Sequence, residues 1–141
     1  MTTARRVGRA VGSTGATTAA YGVDLRVGTH ELTADEPIAS GGGDLGPTPS
    51  GLLASALAAC TAITLRMYAT RKRWEVTPIE VDIRLALDDD NALSIERIVT
   101  VPAALTGEQR EHLAWIAERT PVTIAVSRAT PIVTSFTTQK A

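Results

Sequence analysis

An uncharged stretch from Leu45 to Leu65 constrains the fold of this chain more than any other feature. Near its start, Thr48 is a good N-cap residue and Pro49 has a backbone angle suited to the first helical position. We therefore predict a helix from Pro49 to about Thr70, with apolar residues on most of its sides, so that other parts of the protein must enclose it. About fourteen apolar helical residues remain after the opening turn, whereas a bilayer core needs about twenty, so we expect a buried helix and no membrane span.

Alternation of apolar and polar residues predicts strands on both sides of this helix. Before it, we predict two strands at 21–27 and 30–34, joined by a turn at Gly28 and Thr29. After it, in chain order, we predict strand Ile79–Leu87, strand Leu93–Val101, helix Gly107–Glu118 behind a Thr106 capping box, a short helix from Thr120 to Ser127, and strand Pro131–Thr137. Helices and strands come in blocks with hairpins, which favours an α+β fold with antiparallel sheets around a long helix.

The length of 141 residues predicts a single domain over residues 21–141. Residues 1–20 are expected to be partly mobile or to add one strand. The chain has only five aromatic residues, so its core should be aliphatic. Fourteen basic and fifteen acidic residues leave no basic excess, so no nucleic acid partner is expected. One cysteine and the lack of a secretory signal favour a cytoplasmic location.

Several kinds of site are not supported by the sequence. The glycine-rich loop at 41–47 lacks the Gly-Lys-Ser/Thr ending of a P-loop, and the aspartates at 88–90 lack the spacing of an EF-hand. No Gly-x-Ser-x-Gly elbow is present, and His30, His112 and one cysteine do not form a recognisable zinc set. We expect neither a metal nor a cofactor.

Cys60 is the best candidate for chemistry because it is the only thiol in the chain. Leu53, Leu57, Ile63 and Thr64 lie near it at helical spacings, which places the cysteine on an apolar stripe. Its reactivity would depend on how far its surroundings favour the thiolate. The alternative is that Cys60 packs in the core as a small apolar residue, as cysteines often do.

Several segments of the sequence resemble a known family. They are Asp35-Glu36-Pro37, the glycine-rich run from Gly41 to Pro49, the helical run from Leu52 to Ala69, and Arg71-Lys72-Arg73-Trp74. The chain resembles the OsmC/Ohr family, particularly its OsmC-like branch, over nearly its whole length after about Tyr21. The resemblance implies an intertwined α+β homodimer that reduces organic hydroperoxides. It also implies that Cys60 is the peroxidatic cysteine, which attacks the peroxide and becomes a sulfenic acid.

The sequence departs from the family pattern at two positions. Thr120 stands before Pro121, where the family carries its resolving cysteine, and Ser50 stands ten residues before Cys60, where family peroxidases carry a glutamate. A threonine can still cap the helix but cannot condense with a sulfenic acid. No N-terminal arginine can be aligned with the one that pairs with that glutamate.

Two functions therefore follow from the sequence. One is a peroxidase with a single catalytic cysteine, in which a small organic hydroperoxide reacts at Cys60 and an external thiol or dithiol resolves the product. Helical spacing suggests a binding wall for that peroxide, made of Leu53, Leu57, Thr61, Ile63 and Thr64. The other is a non-catalytic relative that binds a small hydrophobic ligand at the dimer interface.

Overall fold

The computed structural model describes residues 4–15 and 18–139, which form two compact units. One unit ends at Ser55 and the other begins at Ala56. The division that the sequence predicts, residues 1–20 followed by one domain over 21–141, stays a prediction. Residues 1–3, 16 and 17, part of the segment expected to be mobile or to add a strand, lie outside the described residues.

The first unit is built on a three-stranded antiparallel sheet. Its strands are β1 (Ala10–Thr14), β2 (Val23–Val27) and β3 (His30–Ala34), in that spatial order. Val27 pairs with His30 across the predicted turn, and Gly28 has a φ of 61°, a conformation that glycine adopts at little cost. β1 lies within the N-terminal segment of residues 1–20. A short 3₁₀ helix, Ile38–Ser40, follows β3.

The long helix α1 spans Pro49–Lys72 and ends two residues beyond its predicted end. Its N-cap is as predicted, since Gly51 N–H donates to Thr48 Oγ1 at 3.0 Å. Among the described residues it is the one helix whose length and apolar composition would let it cross a bilayer. The core helices of soluble proteins can have the same length and composition. Only 22% of its most apolar window is buried, so the described part of the single chain does not enclose the helix.

The buried side of α1 also differs from the predicted stripe. Its buried residues are Leu57, Thr61, Leu65 and Ala69, whereas Ile63 and Met67 are more than half exposed. Because α1 is apolar nearly all round, its sequence pattern does not select the face that packs.

The second unit contains the rest of α1, an antiparallel hairpin and two further helices. The hairpin pairs β4 (Glu80–Leu87) with β5 (Leu93–Thr100), and the helices are α2 (Gly107–Ala117) and α3 (Pro121–Ser127). The capping box at Thr106 is present as predicted. The core is aliphatic, as expected, and centres on Leu65, Ala69, Val76, Leu105, Leu113, Ile116 and Ala117. The antiparallel sheets and long helix confirm an α+β fold.

The predicted final strand, Pro131–Thr137, does not form. The segment has no regular secondary structure and pairs with no strand in the described part of the chain, and Ile132, Val133 and Phe136 are at least 87% exposed. Its composition favours a strand, but a strand also needs a neighbour to accept its hydrogen bonds.

Candidate functional site

Cys60 lies midway along α1 as a free, half-buried cysteine. Within residues 4–15 and 18–139, no hydrogen bond or ion pair reaches its Sγ atom. The helix dipole acts mainly in the end turns, so α1 itself gives little support to a thiolate at this position.

Thr61, the next residue, is fully buried and makes two hydrogen bonds. Its hydroxyl donates to the carbonyl oxygen of Leu57 at 2.7 Å, one turn earlier in α1. The same hydroxyl accepts a bond from Arg97 Nη1 at 3.2 Å. Thr61, directly after the cysteine, is therefore held in position by Arg97 of β5.

Thr120 occupies the N-cap of α3, so the threonine preserves the cap as the sequence predicted. It is fully buried, and its Oγ1 lies 2.6 Å from Thr123 Oγ1. Thr123 N–H also donates to Thr120 Oγ1, at the longer distance of 3.4 Å. The capping hydroxyl is thus held more closely by the Thr123 side chain than by the helix backbone.

Arg97 joins these threonines. Its Nη1 donates to Thr123 Oγ1 at 2.7 Å as well as to Thr61, and its Nη2 donates to Glu118 Oε1 at 3.2 Å. The Arg97 side chain is only 13% exposed, whereas that of Glu118 is 71% exposed. The sequence places Arg97 in the apolar register of its strand, where an arginine is either paired or directed outward at an edge, and the structure shows it paired. We call these five residues, Thr61, Arg97, Glu118, Thr120 and Thr123, the threonine–arginine network.

The sequence indicates only part of this network. Thr61, Arg97 and Thr120 stand out in it for separate reasons, but nothing in the sequence links them or indicates Thr123 and Glu118. The bonds from Arg97 span 36 residues to Thr61 and 26 residues to Thr123, beyond the reach of any local pattern. An arginine at an apolar position of a strand was the one usable signal, since such a charge needs partners.

A cavity of about 410 Å³ lies beside the network, within the second unit. Its apolar wall consists of Leu57, Ile83, Leu93, Ile95 and Val126. Arg97, Glu118 and Thr123 are part of its polar lining. Of the predicted binding residues, Leu57 lines this cavity and Thr61 bonds to its arginine. Leu53 and Thr64 are half-buried elsewhere on α1, and Ile63 is exposed.

Ser50 lies in the first turn of α1 and is exposed. A serine hydroxyl cannot supply the negative charge that a glutamate would bring to this position. Ser50 therefore does not supply the negative charge that the family's glutamate would carry at this position.

Asp35 organises the glycine-rich loop of the first unit, which the sequence analysis did not foresee. Its carboxylate is buried and accepts bonds from the backbone N–H groups of Glu36 at 2.8 Å, Gly43 at 3.0 Å and Leu45 at 3.2 Å. Burial by itself raises the pKa of Asp35, but the three amide donors outweigh it and hold the pKa below its usual value. These amide N–H groups already donate to a carboxylate of the loop itself. They are therefore not free to bind a phosphate group, which argues further against a phosphate site in this loop.

Comparisons with known proteins agree with this architecture. The family model described as OsmC-like protein matches residues 41–135, more than half of the chain. No curated protein matches the chain in sequence.

Solved structures with the same fold come from several bacteria. An OsmC-like protein from Mycoplasma pneumoniae is 15% identical with a TM-score of 0.72, over 86% of this chain and 88% of that one. The organic hydroperoxide resistance protein OhrB of Bacillus subtilis is 22% identical with a TM-score of 0.59, over 86% and 90%. An organic hydroperoxide resistance protein OsmC from Legionella pneumophila is 18% identical with a TM-score of 0.63, over 88% and 91%. At these identities the likeness shows the fold alone.

Proposed function

We propose that this chain, which belongs to the OsmC-like protein family, is a thiol-dependent peroxidase that reduces organic hydroperoxides at Cys60. The observation that carries the proposal is the position of Cys60, a half-buried free thiol midway along α1 in the helical motif of the family. Two of the structurally similar proteins are named for organic hydroperoxide resistance, which supports the same substrate class.

The first chemical step is attack of the Cys60 thiolate on the outer oxygen of the hydroperoxide. The O–O bond breaks, the outer oxygen stays on sulfur as the sulfenic acid, and the remaining alkoxide oxygen takes a proton from solvent and leaves as an alcohol.

The second step needs a thiol from outside the chain, because Cys60 is its only cysteine. An external thiol condenses with the sulfenic acid, releasing water and forming a mixed disulfide. A second thiol then reduces that disulfide and restores Cys60. Thr120 keeps the helix cap of the family's resolving position but takes no part in this redox cycle.

The alternative is an OsmC-like protein without peroxidase activity that binds a small hydrophobic ligand at a dimer interface. It is favoured by one observation, that no hydrogen-bond donor or cation contacts Cys60 Sγ within the described part of the chain. Such a contact would stabilise the negative charge of a reacting thiolate.

We expect a homodimer in either case. Ile63 and Met67 on α1 are 58% and 54% exposed, and Phe136 in the C-terminal segment is 97% exposed. A second copy that covered these side chains would remove a large apolar surface from water. Light scattering at micromolar concentration should give the mass of a dimer, and a monomer would contradict this expectation. The reaction also needs a supply of reduced thiols, which fits the cytoplasm.

The deciding experiment treats the protein with cumene hydroperoxide in the presence of a sulfenic-acid probe. Mass spectrometry should find the probe on the Cys60 peptide, and the Cys60→Ser variant should carry none. Peroxide consumption is then measured with a monothiol and with a dithiol reductant.

Circular dichroism of the Cys60→Ser variant serves as the folding control. Consumption by the parent protein that the variant lacks supports the peroxidase. If the parent shows neither labelling nor consumption above the variant, the peroxidase proposal fails and the binding protein is favoured.

A further inference from the structure

The cavity beside the threonine–arginine network has the composition of a binding site for an amphipathic molecule. Its volume of about 410 Å³ lies in the range of small-molecule sites. Its apolar lining is aliphatic and consists of Leu57, Ile83, Leu93, Ile95 and Val126. Arg97, a cation with 13% side-chain exposure, lies on the same face of the hairpin as Ile95 and pairs in register with Ile83.

The guanidinium of Arg97 has unused donors. It carries five N–H groups, of which Nη1 gives both of its own to Thr61 and Thr123, and Nη2 gives one to Glu118. In the part of the chain that the structure describes, the Nε–H group and the second N–H of Nη2 bond to no protein atom. Nε and Nη2 form one edge of the guanidinium, and that edge fits the two oxygens of a carboxylate.

Glu118 binds the guanidinium through a single contact. Only Oε1 contacts Arg97, through Nη2 at 3.2 Å, and the Glu118 side chain is 71% exposed. An exposed ion pair of this kind contributes little to stability, because solvent screens it and a long side chain loses freedom in forming it. A ligand carboxylate that bonds to both Nε and Nη2 can therefore take the place of Glu118.

We propose that this cavity binds an aliphatic monocarboxylate, with its carboxylate on Arg97 and its alkyl chain along the aliphatic wall. Thr61 and Thr123 hold Nη1, so the guanidinium is already oriented before the ligand arrives. The Glu118 carboxylate pairs with the same guanidinium and carries the same charge as the ligand, so it swings out into solvent when the ligand binds. The site goes beyond the proposed peroxidase, because Cys60 does not line the cavity and binding needs no thiol.

Isothermal titration calorimetry with the full chain tests this inference, using octanoate below its micelle concentration as the probe. Acetate supplies the carboxylate alone, octanol the chain alone, and octylamine the chain with the opposite charge. Octanoate should bind at least tenfold more tightly than each of the other three. Equal binding of octanoate and octanol or octylamine would overturn the proposal, since Arg97 would then contribute nothing.

Two variants separate a ligand contact from a structural role of the network. Arg97→Gln should weaken octanoate binding at least tenfold. Glu118→Gln, at an exposed position that should not affect folding, should tighten binding severalfold because it removes the competing carboxylate. Unchanged or weaker binding by Glu118→Gln would contradict the proposal even if Arg97→Gln failed to fold.

The matched control is Arg84→Gln. Arg84 lies on the neighbouring strand β4 with 61% side-chain exposure and pairs with Asp82, so its loss should leave octanoate binding unchanged. Cys60→Ser should also bind octanoate normally. Loss of binding in Cys60→Ser would contradict a thiol-independent site, whereas loss of peroxide consumption alone would bear only on the peroxidase.

Discussion

Thr120→Ala is expected to destabilise the protein by about 3 kcal/mol, much more than the loss of an ordinary helix cap. The loss of the cap contributes about 0.5 kcal/mol, at the low end for such substitutions because the Thr123 N–H bond is long at 3.4 Å. The lost 2.6 Å bond to the Thr123 hydroxyl adds about 1 kcal/mol. Removing a fully buried methyl group and leaving a small cavity adds about 1–1.5 kcal/mol.

Thr106→Ala is the matched control, because Thr106 is also the N-cap of a helix but is exposed. It should cost about 1 kcal/mol, the usual effect of removing a threonine cap. Urea unfolding of the parent and both variants, all at the same protein concentration, gives the loss of unfolding free energy for each variant. Equal costs for the two variants would refute the reasoning, since Thr120 would then act only as a cap.

A double-mutant cycle identifies the partner of Thr120. The substitutions Thr120→Ala and Thr123→Ala should be coupled by about 1 kcal/mol, because each removes one side of the same hydrogen bond. Additive costs would show that the two hydroxyls do not stabilise each other.

Two further predictions concern the redox chemistry and the pH dependence. In the Thr120→Cys variant, the new cysteine should form an intrachain disulfide with Cys60 after peroxide treatment. Mass spectrometry without added thiol should show this disulfide as the loss of two hydrogens. A sulfenic acid that persists on Cys60 would contradict the inference that position 120 is the resolving position. Because the pKa of Asp35 is lowered in the folded state, its stabilising effect is complete above the unfolded pKa of about 4 and is lost as the pH falls through the folded pKa. Urea unfolding between about pH 5 and pH 2.5 measures the difference in unfolding free energy between the parent and Asp35→Asn. This difference should become smaller as the pH falls, and a difference that stays constant would contradict the reasoning. Asp35→Asn should also speed amide exchange at Gly43 and Leu45, which donate to the carboxylate.

Local signals account for the elements that the sequence predicted correctly. The caps at Thr48, Thr106 and Thr120 depend on residues three positions away, and the hairpins depend on alternation and a turn between neighbouring strands. The prediction for Pro131–Thr137 used the same kind of signal and was wrong for the single chain. Composition favours an extended backbone there, but no strand among the described residues pairs with it.

The sequence by itself determined the α+β class, the order of the strands and α-helices from β2 to α3, the long uncharged helix and Cys60 as the only thiol. Its family motifs also identified Thr120 and Ser50 as departures. Only the tertiary structure decided which face of α1 is buried, because a helix that is apolar nearly all round has no preferred side until other elements pack against it. Only the tertiary structure joined Thr61, Arg97 and Thr123, because hydrogen bonds between distant segments depend on distances in space that no local pattern records.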